Sequence, residues 1–255
     1  MNRLIIIGAG ELGHRVGRLW VESGGPCLGV TATTARHAEL RASGIEPSTS
    51  YPTTFETDDR LLICVPGTDK LQDAVTAFDG IVPPTRIVLT SSTGRYHGVE
   101  GTIDADTPPG QTQRAQSISQ MEAAFSTWAG PSGVIMNLGG LYRAGRGPMN
   151  MLKKRGRPPA GSPEKTLALI HYDDAATATF EALRHPNPRP RYIGVSPPCP
   201  TRREFYLAAS VILNLDLPSF GRISPTTRAE YVVAGLRTDV LSTPKYPKWQ
   251  AALLP

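Results

Sequence analysis

Leu4–Ile7 form a continuous apolar run that stops at Gly8, and behind it Leu12, Val16, Leu19 and Trp20 recur at helical spacing. The pattern predicts a fully buried strand feeding a helix with one apolar stripe. The alternation continues down the chain. Residues 27–31 and 61–65 read as strands, the second lying between the solvated pair Asp58-Asp59 and the break at Pro66-Gly67. Residues 35–42 read as a short helix, and 70–78 as another with Leu71, Ala74, Val75 and Phe78 on one face, before a buried strand at 86–89. The stretch 94–113, rich in Gly, Thr, Asp and Pro, reads as a long loop of the kind that borders active sites. A helix over 114–128 and a strand over 134–138 follow, ending at Gly139-Gly140. From Met149 onward proline and basic residues become more frequent. A strand at 166–171, a helix at 173–183, a strand at 192–195 and an amphipathic helix at 201–213 are expected there, and the proline-punctuated remainder yields no assignment. There is no internal repeat. Strands alternating with helices imply an α/β protein whose parallel sheet is doubly wound by right-handed crossovers.

The first strand runs into Gly8-x-Gly10-x-x-Gly13. Gly8 allows the tight turn, Gly10 the close approach of a pyrophosphate, and Gly13 the packing of helix on strand, with the phosphates on the helix's first amides. Strand, glycine turn and helix in that order point to dinucleotide binding. The division that follows is a Rossmann-type core at 1–145 and a C-terminal part at 146–255. The latter completes the sheet at about 166–195 and forms a small substrate-binding subdomain. At the end of the second strand an acid selects NAD and a basic residue accommodates the 2′-phosphate of NADP. Here Thr31, Thr33, Thr34 and Arg36 occupy that segment, and no acid occurs before Glu39. NADP(H) is favoured and NAD(H) remains possible. The candidate cofactor contacts are Gly8, Gly10, Glu11, Leu12, Gly13, Thr31, Thr33, Thr34, Arg36, Val65, Pro66 and Ser91.

A formal net charge of +5 invites a nucleic-acid reading. The basic residues are scattered, however, apart from Lys153-Lys154-Arg155-Gly-Arg157 and the proline-broken stretch 184–191, and no aromatics interleave with them. The stretch 184–191 reads as a solvated basic loop, whereas Lys153, Lys154 and Arg155 suit an anionic small-molecule substrate. Cys27, Cys64 and Cys199 are odd in number and widely spaced, which suggests reduced thiols and neither a disulfide framework nor a metal site. His171 beside Asp173 and Asp174 reads as a cap or packing residue. Ser91-Ser92 with His97 lacks the glycine elbow of a serine hydrolase. The first apolar run is too short for a secretory core or membrane span, so a cytoplasmic monomer or homodimer is expected.

Three further segments resemble extended short-chain dehydrogenases/reductases, the NAD(P)-dependent epimerase/dehydratase-like group. They are Thr90-Ser91-Ser92-Thr93-Gly94-Arg95-Tyr96-His97-Gly98, Asn137-Leu-Gly-Gly-Leu-Tyr142-Arg-Ala-Gly-Arg146 and Ile170-His171-Tyr172-Asp173-Asp174-Ala175. The resemblance implies that Ser92 polarises a substrate carbonyl and that Tyr96 and Tyr142 sit on loops facing the nicotinamide. It also exposes a departure. Anchored on Glu122, the family's Tyr-x-x-x-Lys pair falls on Arg114 and Ile118, as in atypical members that lost it. Arginine stays charged and cannot donate the proton, although it can stabilise negative charge on oxygen. The expected activity is an NADP(H)-dependent oxidoreductase acting on a small carbonyl or imine, using Ser92, Arg114, and Tyr142 or Tyr96 for protonation. The alternatives are a catalytically inactive NAD(P)-binding regulator or scaffold, and a non-redox isomerase or lyase.

Overall fold

A computed structural model describes residues 2–158, 161–216, 220 and 228–253. The chain opens with β1 (Leu4–Ile7), α1 (Glu11–Glu22), β2 (Cys27–Val30), α2 (His37–Ala42), β3 (Glu46–Ser48) and β4 (Arg60–Ile63). It continues with α3 (Thr68–Thr76), β5 (Arg86–Ser92), β6 (Gly101–Ile103), α4 (Gln113–Ala129), β7 (Gly133–Leu138) and β8 (Gly140–Tyr142). Then come α5 (Pro148–Arg155), β9 (Leu169–His171), α6 (Tyr172–Arg184), β10 (Arg191–Gly194), α7 (Arg202–Leu213), β11 (Ala229–Tyr231) and α8 (Ala234–Asp239).

Seven strands form one sheet in the order β3-β2-β1-β4-β5-β7-β10, every neighbouring pair parallel. This is the expected doubly wound α/β architecture. Alternate residues of the central strands feed opposite faces. Leu4, Ile6, Leu62, Val88 and Met136 pack with Val16 and Trp20 of α1 and Phe180 of α6. Ile5, Ile7, Leu61, Ile63, Leu89 and Ile135 pack with Leu71 of α3 and Phe125 of α4. Because both faces are covered, these strands read in sequence as unbroken apolar runs. A third cluster, with Tyr142, Met149, Leu152, Leu169, Phe205 and Tyr206, joins α5, β8, β9 and α7 beside the sheet.

Several elements depart from expectation. β3 is Glu-Pro-Ser, an edge strand with no apolar run, where a proline is tolerated because one side needs no partner. The expected long loop holds a 3-10 turn at Thr93–Tyr96 and β6, which pairs with the distant β11. Only Leu169–His171 of the expected 166–171 strand forms, and it pairs with β8 in a separate two-stranded sheet, so β10 alone completes the main sheet from that half. α5 was hidden by its proline and basic residues, yet Pro148 suits the first helical turn and Gly156, at φ 66°, ends it in the left-handed region. α7 starts at a capping box between Thr201 and Glu204. Among the described residues no helix is long and apolar enough to cross a membrane.

Candidate cofactor and active site

From β1 the chain builds outward to β2 and β3, then returns to β4 on the other side, so the sheet's switch point lies between β1 and β4. Ligands of open α/β sheets bind outside the carboxyl ends of the strands at that point. A cavity of about 840 Å³ opens there. Gly10, Glu11 and Leu12 after β1, Cys64 to Thr68 after β4, and Thr90, Ser91 and Ser92 of β5 line it. Arg114, Ile118 and Met121 of α4, together with Arg36, Glu39, Leu138, Gly139, Leu141, Arg146 and Tyr172, complete the wall.

The three glycines have different reasons to be glycine. Gly8 sits at φ +92°, and a Cβ there would stand 2.4 Å from the Cys64 carbonyl oxygen. A Cβ on Gly13 would stand 2.6 Å from the Gly8 oxygen and 2.9 Å from Ile6 Cγ2. Gly10 has an ordinary φ of −78°, and the nearest atom a Cβ there would meet beyond its chain neighbours is the Gly8 carbonyl oxygen at 4.0 Å. The fold itself therefore demands Gly8 and Gly13, whereas Gly10 faces open cavity. No side chain caps the first turn of α1, whose Glu11 and Leu12 line the same cavity.

Of the polar residues expected at the end of β2, Arg36 reaches the cavity and Thr31, Thr33 and Thr34 do not. The Thr31 hydroxyl donates to the Thr33 carbonyl at 2.8 Å and lies 2.9 Å from His37 Nε2. Arg36 is not a free cation: its Nε and Nη2 donate to Glu39 at 2.8 and 2.9 Å. Glu39 thus lines the cavity although it lies beyond the segment in which an acid was sought. The three-residue spacing across the turn into α2 brings it back against Arg36, a signal that helical periodicity carries.

On the opposite lip, Arg143 donates to both carboxylate oxygens of Glu11 at 2.9 and 3.2 Å, and Arg15 donates to Glu11 at 3.1 Å and to Asp173 at 2.7 Å. Hydrogen bonding from Arg143 holds the Glu11 carboxyl below its usual range. Arg143 and Arg146 exchange backbone hydrogen bonds, and the Arg146 guanidinium lies 5.6 Å from the centre of the Tyr172 ring. Both Arg146 and Tyr172 belong to segments singled out in the sequence, although neither was assigned a role.

The inner end is built on β5 and α4. Ser92 Oγ accepts the Gly94 N–H at 3.0 Å, so its own proton remains available. Ser91 Oγ donates to buried Glu122 at 2.5 Å. Glu122 also accepts from Asn137, Arg95 and Arg191 at 2.6, 3.1 and 2.7 Å. Arg191, expected in a merely solvated basic stretch, is therefore part of a buried network. Arg114 and Ile118, where the resemblance puts tyrosine and lysine, both line the cavity. The positive charges of Arg202 and Arg114 add to burial in lowering the Lys165 ammonium, and those of Lys165 and Arg114 lower His97 after burial. Neither Lys165 nor His97 lines the cavity, so among the described residues Arg114 is the cation that faces it at this end.

Tyr96 and Tyr142 are not part of the cavity wall. On β8, Leu141 faces the cavity while Tyr142, one residue on, turns to the opposite side into the cluster with Met149 and Phe205. Its hydroxyl is buried with no hydrogen-bond partner among the described residues, and burial, with Asp174 and Tyr246 adding, pushes the phenol well above its usual range. Tyr96 is buried in the core with Arg95 5.9 Å from its ring centre. Lys153, Lys154 and Arg155 are exposed in the last turn of α5, where cations suit the helix dipole, and do not line the cavity. His171 caps α6, its Nδ1 accepting the Asp173 N–H at 3.1 Å, and stacks on Tyr246 at 3.6 Å. Among the described residues no His, Cys, Asp and Glu cluster could hold a metal ion.

No family model matches the chain. Protein YeeZ of Escherichia coli (strain K12) is 29% identical over 136 residues, covering 53% of this chain and 48% of that protein. The chain thus spans about half the length of the curated relatives it matches. Among solved structures, a functionally unknown conserved protein from Silicibacter pomeroyi DSS superposes with a TM-score of 0.77 at 20% identity, over 99% of this chain and 97% of that one. The human epimerase family protein SDR39U1, solved with NADPH, gives 0.73 at 17% identity over 99% and 98% of the two chains. UDP-glucuronic acid 4-epimerase from Bacillus cereus, in complex with NAD, gives 0.73 at 13% identity over 99% and 96%. Over almost its whole length, the chain shares the Rossmann-type α/β fold of these solved structures.

Proposed function

We propose that the chain is an NAD(P)-dependent oxidoreductase, favouring NADP(H), that acts on a small carbonyl or imine carrying a negative charge. The observation that carries the nucleotide reading is Gly10: it stands at the switch-point cavity, and packing within the protein gives it no reason to lack a side chain. The cavity's volume falls within the range of cofactor pockets. Gly10 and the first turn of α1 would hold the pyrophosphate, Arg36 and Glu39 the adenosine ribose, and Ser91, Ser92 and Leu141 the nicotinamide end. Bound there, nicotinamide supplies or accepts a hydride.

Ser92 lines the cavity and accepts the Gly94 N–H through one lone pair, so its hydroxyl proton is free to be donated to a substrate oxygen. Arg114, which lines the cavity, stabilises negative charge on that oxygen or on an anionic substituent. Neither Tyr96 nor Tyr142 opens onto the cavity, so the proton is assigned to water or to a cavity hydroxyl. A second reading, a nucleotide-binding regulator without turnover, is favoured by Ile118, which presents an aliphatic wall where a lysine would tune an acid.

Calorimetric titration with NADP⁺, NADPH, NAD⁺ and NADH, on wild type, Gly10→Asp and Arg36→Ala, tests the proposal. Submillimolar binding is expected, lost in Gly10→Asp and weakened for the phosphorylated pair in Arg36→Ala. Carbonyls and imines, anionic ones first, are then screened by the absorbance of the reduced nicotinamide. Binding without any turnover selects the regulator, and no binding of the four nucleotides sinks both readings.

A further inference from the structure

His14 stands where two neighbours ask opposite things of one nitrogen. It follows Gly13 on α1, and its Nδ1 lies 3.3 Å from Arg36 Nη2 and 3.1 Å from Glu39 Oε1, while Nε2 lies 2.8 Å from Ser43 Oγ. As a neutral acceptor Nδ1 takes a hydrogen bond from Arg36. As a protonated donor it gives one to Glu39. It cannot do both. The His14 side chain is 13% exposed, against 32% for Arg36 and 51% for Glu39, so the imidazole is the inner member of the group. Arg36 and Glu39 line the cavity and His14 sits behind them.

We propose that His14 is a specificity-determining residue which, with Arg36 and Glu39, selects at the 2′ position of the adenosine ribose and gates that selection by its proton. The inference rests on the nicotinamide-nucleotide reading above. With His14 neutral, both Glu39 oxygens accept from the Nε–Nη2 edge of Arg36, and Nη2 also reaches His14 Nδ1, so that edge is engaged within the protein. The Glu39 charge then offsets part of the attraction of Arg36 for a 2′-phosphate, and its carboxylate can accept from a free 2′-hydroxyl. When His14 takes a proton from solvent, Nδ1–H binds Glu39 Oε1 and the site gains one positive charge. Arg36 can then turn its guanidinium to the phosphate. The groups bearing on His14 are Glu11 and Arg18 from its own helix, Arg36 from the turn before α2, and Glu39 with Ser43 from α2. Burial, with Arg36 and Arg18, keeps the imidazole below its usual range against Glu39 and Glu11, so the gate operates on the acid side of neutrality.

The test is the ratio of NADPH to NADH affinity between pH 8 and 5.5, in wild type and His14→Asn. In wild type the ratio should rise relative to His14→Asn by about tenfold toward acid, the size of one charge-assisted hydrogen bond. Protonation of the 2′-phosphate itself works the other way and is common to both proteins. A parallel ratio in the two proteins overturns the inference while leaving nucleotide binding intact. Failure of both nucleotides to bind overturns the inference and the reading beneath it. A readout free of nucleotide is the His14 imidazole titration followed by NMR. Glu39→Gln should move its midpoint to lower pH, and an unmoved midpoint contradicts the proposed coupling.

Discussion

Glu11, the first residue of α1, is held by a two-pronged hydrogen bond from Arg143, 132 residues away on the segment after β8. The pair ties the glycine turn to the 143–146 turn across one lip of the cavity, so that turn acts as a strap over the lip. Arg143 is 35% exposed, and screening reduces such a pair to about 0.5 kcal/mol. A double-mutant cycle of Glu11→Gln and Arg143→Gln in urea unfolding should show coupling of that order. Each single variant should also be cleaved faster at 143–147 by protease. Unchanged cleavage would mean the strap is held by something else.

The contrast between Gly8 and Gly10 separates fold from ligand. Gly8→Ala meets the Cys64 carbonyl and takes up an unfavourable positive φ, and should lose about 2 kcal/mol or more of stability in urea. Gly10→Ala should leave stability within about 1 kcal/mol while weakening nucleotide binding at least tenfold. Equal losses of stability in the two variants would remove the argument that Gly10 answers to a ligand.

Glu122 is 1% exposed and compensates Arg95 and Arg191, themselves 13% and 17% exposed. Glu122→Ala leaves two guanidiniums without their carboxylate and frees Ser91 in the cavity wall. A loss of about 3–5 kcal/mol is expected from chemical denaturation, with Glu122→Gln losing less because it still accepts hydrogen bonds. A near-neutral Glu122→Ala would show that water replaces the carboxylate.

Burial, the largest cause, keeps His171 less basic in the folded chain than in the unfolded one, against Asp173 and Asp174. As pH falls below about 6.5 the unfolded state takes the proton first, so stability drops until the folded value is reached. Protonating Nδ1 would also break the cap to the Asp173 amide. His171→Asn keeps a competent cap. Its stability should therefore depend less steeply on pH between 7 and 5, measured by urea unfolding across that range. An identical slope would assign the acid loss to other groups.

Short-range physics made much of this protein legible. The runs at β1, β4, β5 and β7 are apolar throughout because helices cover both faces, and the glycine turn between β1 and α1 is set by contacts within thirteen residues and one neighbouring strand. Arg36 could be named as a cavity residue because it lies just past β2, whereas the resemblance to dehydrogenase/reductase motifs places Ser92 and Arg114. Tertiary structure decided the rest. Glu39 reaches the cavity because α2 folds back on the turn before it, Tyr142 leaves it because β8 pairs with β9 and puts Leu141 on the cavity side, and β3 is a strand only because β2 offers it an edge. The sequence determines local periodicity and backbone permission, which act over a few residues. Which face of a short strand meets solvent, ligand or core depends on partners more than a hundred residues away, as Glu11 and Arg143 do on each other.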